Sequence, residues 1–294
     1  MSVSAISFIL MALLLPVMAW CGARVGRLQD RWRRGFLIAL AFGLLLLWVW
    51  LYRHPSVAVQ IIPLQVLSRL EGIGAAPLFM FLIGVAWTMG ELRRQRALVV
   101  LGGVIGMGYF LQGGLWMIQT TPTAAFAEPV DSVQQRQSQD YSCVPAACST
   151  TLRIFGVSTS ESEMARLTET RPGQGSTMIR AMNGLERRLG GSSIRPVLVE
   201  PTYDELLGVQ PPFMVPLRYE ARRLHMVTVV GFLPSRVFIA DPATGVEVVS
   251  RQQFERLFYG QAIIFQRLDG SPAQPVEDPM AMIEEPIFQL ASPE

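Results

Sequence analysis

The sequence predicts a chain in two parts. An all-α membrane domain of about four transmembrane helices comes first, and an α+β domain follows in which N-terminal helices pack on an antiparallel sheet. Three observations carry this. Half of the 294 residues are hydrophobic and 16% are charged, against about 25% charged in an average soluble domain, so lipid is the solvent for part of the chain. Every apolar stretch of bilayer length falls in the first 118 residues. Beyond them, helix signals come first and strand signals dominate the remainder.

Four apolar stretches, roughly 4–22, 35–52, 73–90 and 97–118, reach the roughly 17–25 residues that cross a bilayer. The first lacks a basic segment before its apolar run and has arginines after it, so it is expected to stay in the membrane as a span and not to act as a secretory signal. The apolar run VAVQIIPLQVL (57–67) is too short to cross and is broken by Pro63, which predicts an interfacial or packed segment. None of the four spans contains an interior Asp, Glu, Lys or Arg, the mark of an ion or proton pathway, which argues against a transporter.

The arginines set an orientation. Arg24, Arg27, Arg31, Arg33 and Arg34 follow the first span and Arg93, Arg94 and Arg96 follow the third, so both loops are expected on the cytoplasmic face. The connection 53–72 holds only Arg53 and Arg69, and nothing basic follows the fourth span before Arg136. Four spans then place the C-terminal domain outside the cytoplasm, on the periplasmic or extracellular side of a bacterial inner membrane. An odd number of spans would reverse this.

Residues 119–136 read as a polar linker rich in Ala and Pro, residues 137–268 as a folded domain, and residues 269–294 as a Pro-rich acidic tail expected to be disordered. Within the domain, helices are predicted over 144–155, over 161–170 with a capping box from Ser160 and Glu163, and over 176–189, stopping at Gly190-Gly191. Strands are predicted over 194–200, 212–218, 224–232, 236–241, 246–249 and 261–268.

Composition excludes several functions. A net charge of +2 offers no electrostatic footprint for nucleic acid. All 25 basic residues are Arg, which reads as genomic base composition. Three cysteines, Cys21, Cys143 and Cys148, make no disulfide framework, and with two histidines they give no zinc-like ligand pair, so neither a metal nor a cofactor is expected. Cys143 and Cys148 lie five apart at a helix start, where their side chains diverge, and both are expected free.

The chemistry lies in QSQDYSCVPAACSTTLRIFG. Cys143 stands just before a predicted helix, with Pro145 suited to its first turn and Gly156 to its stop. A helix N-terminus supplies partial positive charge, which favours the thiolate that acts as nucleophile. Such a thiolate needs a base, and of the two histidines, His54 and His225, only His225 lies in the second domain. The next strand ends in Asp241 with the turn DPATG, and adjacent antiparallel strands can bring Asp241 to His225. In the expected roles Cys143 attacks a carbonyl, His225 moves the proton and Asp241 orients the imidazole, while the amide of Gln137 and the N–H of Cys143 hold the oxyanion. Each residue also has an ordinary structural role: a helix-start cysteine can be packing, a strand histidine core, an Asp before Pro a turn former.

Taken together, in the order Gln, Cys, His, Asp with helices before sheet, these residues resemble the bacterial papain-like cysteine peptidases that process bacteriocins after a double-glycine leader. The resemblance covers about 137–268 and implies a papain-like fold, with Gln137, Cys143, His225 and Asp241 as the catalytic set and a peptide or protein substrate, those carrying a Gly-Gly leader among the candidates. Two features depart from the family. Val144 stands where relatives usually have Gly, and Cys148 falls one position late for a second, non-catalytic family cysteine, which reads as a small buried hydrophobe. The best-known relatives are fused to an ATP-driven exporter, whereas this sequence has no G-x-x-x-x-G-K-[ST] loop and no ATP is expected to take part. The expected function is a membrane-anchored cysteine peptidase that cleaves exported peptides or proteins. The alternatives are a catalytically silent peptide-binding module of the same fold, or an acyltransferase or amidase working through the same thioester.

Overall fold

The computed structural model describes residues 3–90, 92–118, 126, 133–220 and 223–276. The chain forms two compact units, Met1–Thr120 and Thr121–Glu294.

The first unit is all-α: α1 (Val3–Gly26), α2 (Arg31–Arg53), α3 (Pro55–Ile61), α4 (Leu64–Leu70), α5 (Ala76–Met89) and α6 (Arg93–Gly114), closed by one 3-10 turn, Leu115–Met117. Asp30 starts α2, its Oδ1 accepting the amides of Trp32 at 2.9 Å and Arg33 at 3.3 Å. Pro63 separates α3 from α4, so the run 57–67 is a broken pair of short helices.

Among the described residues three helices are long and apolar enough to cross a membrane: Ala5–Gly26, Arg31–Arg53 and Arg93–Gly114. The span expected over 73–90 is instead α5, with 14 residues. At about 1.5 Å per residue it reaches roughly 21 Å, short of a hydrocarbon core of about 30 Å. The cause is local: Gly72 adopts φ +83° in a turn over 71–75, and the helix begins only at Ala76 with Pro77 behind it.

Helices α1 and α5 meet backbone to backbone. A Cβ added at Gly22 would stand 1.9 Å from the carbonyl oxygen of Phe81, and one at Gly84 would stand 1.9 Å from that of Ala19. Only glycine allows this approach, the small-residue packing by which helices associate in lipid. Gly26 lies against Thr88, so the C-terminal ends of α1 and α5 are together. Phe8 stacks on Phe110 with ring centroids 5.1 Å apart, which brings the end of α6 back to the start of α1. Arg24, Arg27, Arg31, Arg33, Arg34, Arg93, Arg94 and Arg96 therefore gather at one end of the unit.

The second unit is α+β. Helices α7 (Cys143–Ile154), α8 (Glu161–Leu167) and α9 (Met178–Leu189) precede a six-stranded antiparallel sheet of β1 (Ile194–Val199), β2 (Phe213–Glu220), β3 (Arg223–Phe232), β4 (Arg236–Asp241), β5 (Gly245–Ser250) and β6 (Ala262–Arg267). The strand order is β1-β6-β2-β3-β4-β5. Two short helices, α10 (Tyr203–Leu206) and α11 (Arg251–Leu257), complete it. Ser160 caps α8 by accepting the amide of Glu163 at 3.1 Å. The Glu163 carboxylate does not return to Ser160 but accepts from the Thr159 hydroxyl at 2.9 Å and pairs with Arg188 at 3.0 Å, so the expected capping box is half formed.

Period-two alternation gives the sheet two faces. Phe213, Val215, Leu217, Val227, Val229, Val237 and Ile239 pack with Tyr203, Leu206 and Phe254 of α10 and α11 in the main core. The other face meets α7: Ile154 packs against Val230 and Ala240. Between them Thr228 Oγ1 donates to the carbonyl of Ala147 at 3.1 Å and accepts the hydroxyl of Thr151 at 2.9 Å, all buried. This contact fixes where α7 begins relative to the sheet.

The expected linker 119–136 and tail 269–294 lie largely outside the described residues. Where they are described, both are tied to the domain at single points. Phe126 meets Tyr141 edge-on with ring centroids 6.3 Å apart, and the amide of Gln135 donates to Thr150 Oγ1 at 2.9 Å. At the other end Ala273 donates to the carbonyl of Phe265 at 3.1 Å and Val276 to that of Ile154 at 2.9 Å.

Candidate active site

Cys143 is the first residue of α7 and is half-buried. Gly156, φ +75°, follows the helix end, as its position in the sequence predicts. Pro145 sits in the first turn, where a missing N–H is harmless. The thiol thus stands at the positive end of the helix.

His225 comes from β3 and Asp241 from the end of β4. The register Thr228↔Ala240 puts Asp241 level with residue 227, a diagonal neighbour of His225. His225 Nε2–H donates to Asp241 Oδ1 at 2.7 Å. The remaining ring nitrogen, Nδ1, is left for the thiol, and Cys143 is near enough to act on the imidazole. The side chain of Asp241 is 4% exposed, and its Oδ1 also accepts the amide of Ala243 at 2.7 Å. The structure therefore joins imidazole and carboxylate directly and brings the Cys143 thiol beside the same imidazole.

Electrostatics follow from this geometry. Burial, the largest influence on His225, disfavours its charged form, but the hydrogen bonds and charges of Asp241 and Cys143 outweigh it and raise its pKa to about 9. Burial likewise pushes the Asp241 carboxyl up, and the bonds from His225 and the amides of Ala243 and Thr244 more than reverse this, holding it below the usual carboxylate range. Cys148 is 0% exposed. Its thiol is pushed far up by burial and then by neighbouring Cys143, so it stays protonated and inert.

Gln137 is fastened beside the acid: its amide donates to the carbonyl of Pro242 at 2.9 Å. Its side-chain Oε1, an acceptor only, is buried with no hydrogen-bond partner among the described residues, so any bond to an oxyanion would come from its Nε2–H. The next residue is held by Glu161, fully buried, whose Oε1 accepts the amide of Ser138 at 3.0 Å. Val144 is 4% exposed, so the side chain that replaces the family's glycine is packed inside the domain.

Two neighbours carried no signal in the sequence. Tyr219 Oη lies 3.4 Å from Asp241 Oδ2 as a weak donor, and its ring centroid is 5.5 Å from that of His225. Burial and the charge of Asp241 raise its phenol, which stays protonated and able to donate. It reaches the site across an irregularity in the β2–β3 register between Arg218 and Glu220, which the alternation of FMVPLRYE does not reveal. The role of Glu161 was equally hidden, because a Glu in the first turn of a helix reads as an ordinary helix-start residue.

Comparison with known proteins bears on the family of the second unit. The model of the peptidase C39 family matches residues 131–269. An uncharacterized protein of Methanothermobacter thermautotrophicus is 32% identical over 137 residues, 47% of this chain and 90% of that protein. One from Methanothermobacter marburgensis is 33% identical over the same shares. Among solved structures, the peptidase domain of Streptococcus ComA, a bi-functional ABC transporter, is 20% identical with a TM-score of 0.41, over 47% of this chain and 96% of that one. A double glycine motif protease from an AMS/PCAT transporter, solved with a leader peptide, is 18% identical with a TM-score of 0.40, over 49% and 94%. Through residues 131–269, the chain belongs to the peptidase C39 family.

Proposed function

We propose that the chain is a membrane-anchored cysteine peptidase that cleaves exported peptides or proteins with Cys143, His225, Asp241 and Gln137. The single observation that carries this is the 2.7 Å hydrogen bond from His225 to the buried Asp241, with Cys143 beside the same imidazole at the start of α7. In the proposed cycle His225 takes the thiol proton, and Asp241 stabilises the imidazolium that forms. The thiolate attacks the substrate carbonyl. Its oxygen becomes an oxyanion held by the N–H of Cys143 and the amide of Gln137. As the C–N bond breaks, His225 gives its proton to the leaving amine and a thioester remains. Neutral His225 then deprotonates a water that hydrolyses the thioester, releasing the acid and restoring the thiol.

Peptides bearing a Gly-Gly leader are the substrates to try first, by family kinship. The periplasmic or extracellular side is favoured by the arrangement of the first unit. The arginines mark the cytoplasmic end, and α6 runs from that end to the opposite one, whatever the depth reached by the short α5. The test is the full-length protein in detergent with a synthetic Gly-Gly leader library, read by mass spectrometry. Cleavage by the wild type and none by Cys143→Ala supports the reading. Binding without cleavage by both would make the domain a silent peptide-binding module.

A further inference from the structure

The residues before the oxyanion glutamine are bonded closely to the turn that carries the acid. Gln134 Nε2 donates to the carbonyl of Asp241 at 3.1 Å, the amide of Gln137 to that of Pro242 at 2.9 Å, and Arg136 Nη2 to that of Ala243 at 2.7 Å. Three consecutive carbonyls therefore accept from one four-residue stretch. Its other side is fixed to α7: Gln135 is 1% exposed, its amide donates to Thr150, and Arg153 donates to its Oε1 at 3.0 Å. The turn is shaped to admit the guanidinium. Gly245 adopts φ +108°, and a Cβ there would stand 2.5 Å from Arg136 Nη1.

We infer that residues 134–137 form a latch that positions the acid of the site, with Arg136 and Gln134 as positioning residues acting through the 241–243 turn on Asp241. The inference rests on the reading of Cys143, His225 and Asp241 as the catalytic set. Asp241 is useful only while its Oδ1 stays on His225, and the carbonyls flanking its side chain are the points the latch holds. Because the same stretch ends in Gln137, one element sets both the carboxylate and the oxyanion amide. The other titratable or charged groups around the pair are Cys143 from α7 and Tyr219 from β2, with Glu247 of β5 acting on Tyr219. None of these contacts the latch in the hydrogen bonds above.

The experiment uses the full-length protein in detergent. It compares wild type, Arg136→Ala, Arg136→Lys, Gln134→Ala with Arg136→Ala, and His225→Ala. Two quantities are read: hydrogen exchange across 238–246, and the rate of Cys143 alkylation by iodoacetamide at pH 6 and pH 10. The double variant is expected to speed exchange in the turn about tenfold. Its alkylation at pH 6 falls about tenfold, which is one unit of lost imidazolium stabilisation. At pH 10, above the ordinary thiol pKa of about 8.5, it stays within twofold of wild type. Arg136→Lys, which keeps the charge and one donor, recovers part of the pH 6 rate. Arg136 is exposed, so its single variants keep the fold. A wild-type rate at pH 6 no faster than His225→Ala would overturn the catalytic reading itself and the latch with it. A fast wild type matched by the double variant at pH 6, or unchanged exchange in the turn, would overturn the latch alone.

Discussion

The two units are held together by different chemistry. In the membrane unit, α1 and α5 touch through Gly22 and Gly84, carbonyl against Cα, and hydrophobic side chains such as Leu13, Phe36, Leu101 and Ile105 remain on the outside. In the peptidase unit the apolar side chains are inside, and buried hydroxyls and carboxylates set the fine geometry: Thr228 with Thr151 and Ala147, and His225 with Asp241. Where the surrounding solvent is hydrocarbon, burying more of it brings no gain, and close backbone contact does the sorting. Where it is water, apolar burial drives folding and the few internal polar groups specify one arrangement.

This contrast can be broken or sharpened by experiment. The largest effect belongs to the nucleophile: Cys143→Ala should lower peptide cleavage by about 10⁴-fold or more, roughly 5 kcal/mol in the barrier, with the fold intact. Residual cleavage near the wild-type rate would sink the assignment of Cys143. Next comes Gly22→Leu, which drives a side chain into the backbone of α5. Overpacking usually costs about 1–3 kcal/mol, and a clash with backbone should exceed that. The membrane unit should lose its protease resistance while Cys143 keeps its labelling rate. Parallel loss of both would show that the two units are not independent.

The third is a pH dependence. The His225 pKa rises from the ordinary 6.5 to about 9 on folding, so the folded state binds its proton more tightly. The resulting stability is fully present below about pH 6.5 and is lost as pH rises through about 9, at most ~3 kcal/mol. Denaturant midpoints of the peptidase unit should fall across that window, and His225→Asn should flatten the fall. The smallest is Thr228→Val, which strands the Thr151 hydroxyl and the Ala147 carbonyl. It should cost about 1–3 kcal/mol in thermal unfolding, against little for a Val at an exposed site of α2.

The same contrast explains what the sequence made legible. The strands of the peptidase unit were readable within about two residues, because β-branched runs such as VTVV and VFIA alternate between two buried faces and end at turn formers. The place of Cys143 at a helix start and the meeting of His225 with Asp241 were readable, because Pro145 and Gly156 bound the helix and adjacent strands carry a lone domain histidine and a DP turn. Tyr219 was not, since its approach depends on a register irregularity that no local pattern encodes. Gln134 and Arg136 were hidden in a stretch whose composition reads as linker, because what orders them is a partner about a hundred residues away. The span 73–90 was overestimated: hydropathy counts residues that the Gly72 turn removes from the helix.

The crowding of eight guanidiniums at one end of the membrane unit makes insertion a one-time decision. Reversing the bundle would drag each of them through hydrocarbon. Against a potential of 100 mV the electrical work alone is about 2.3 kcal/mol per charge, or roughly 18 kcal/mol for all eight, before any desolvation is counted. For the membrane anchor proposed above, the orientation taken during synthesis is therefore kept, and with it the compartment to which α6 leads.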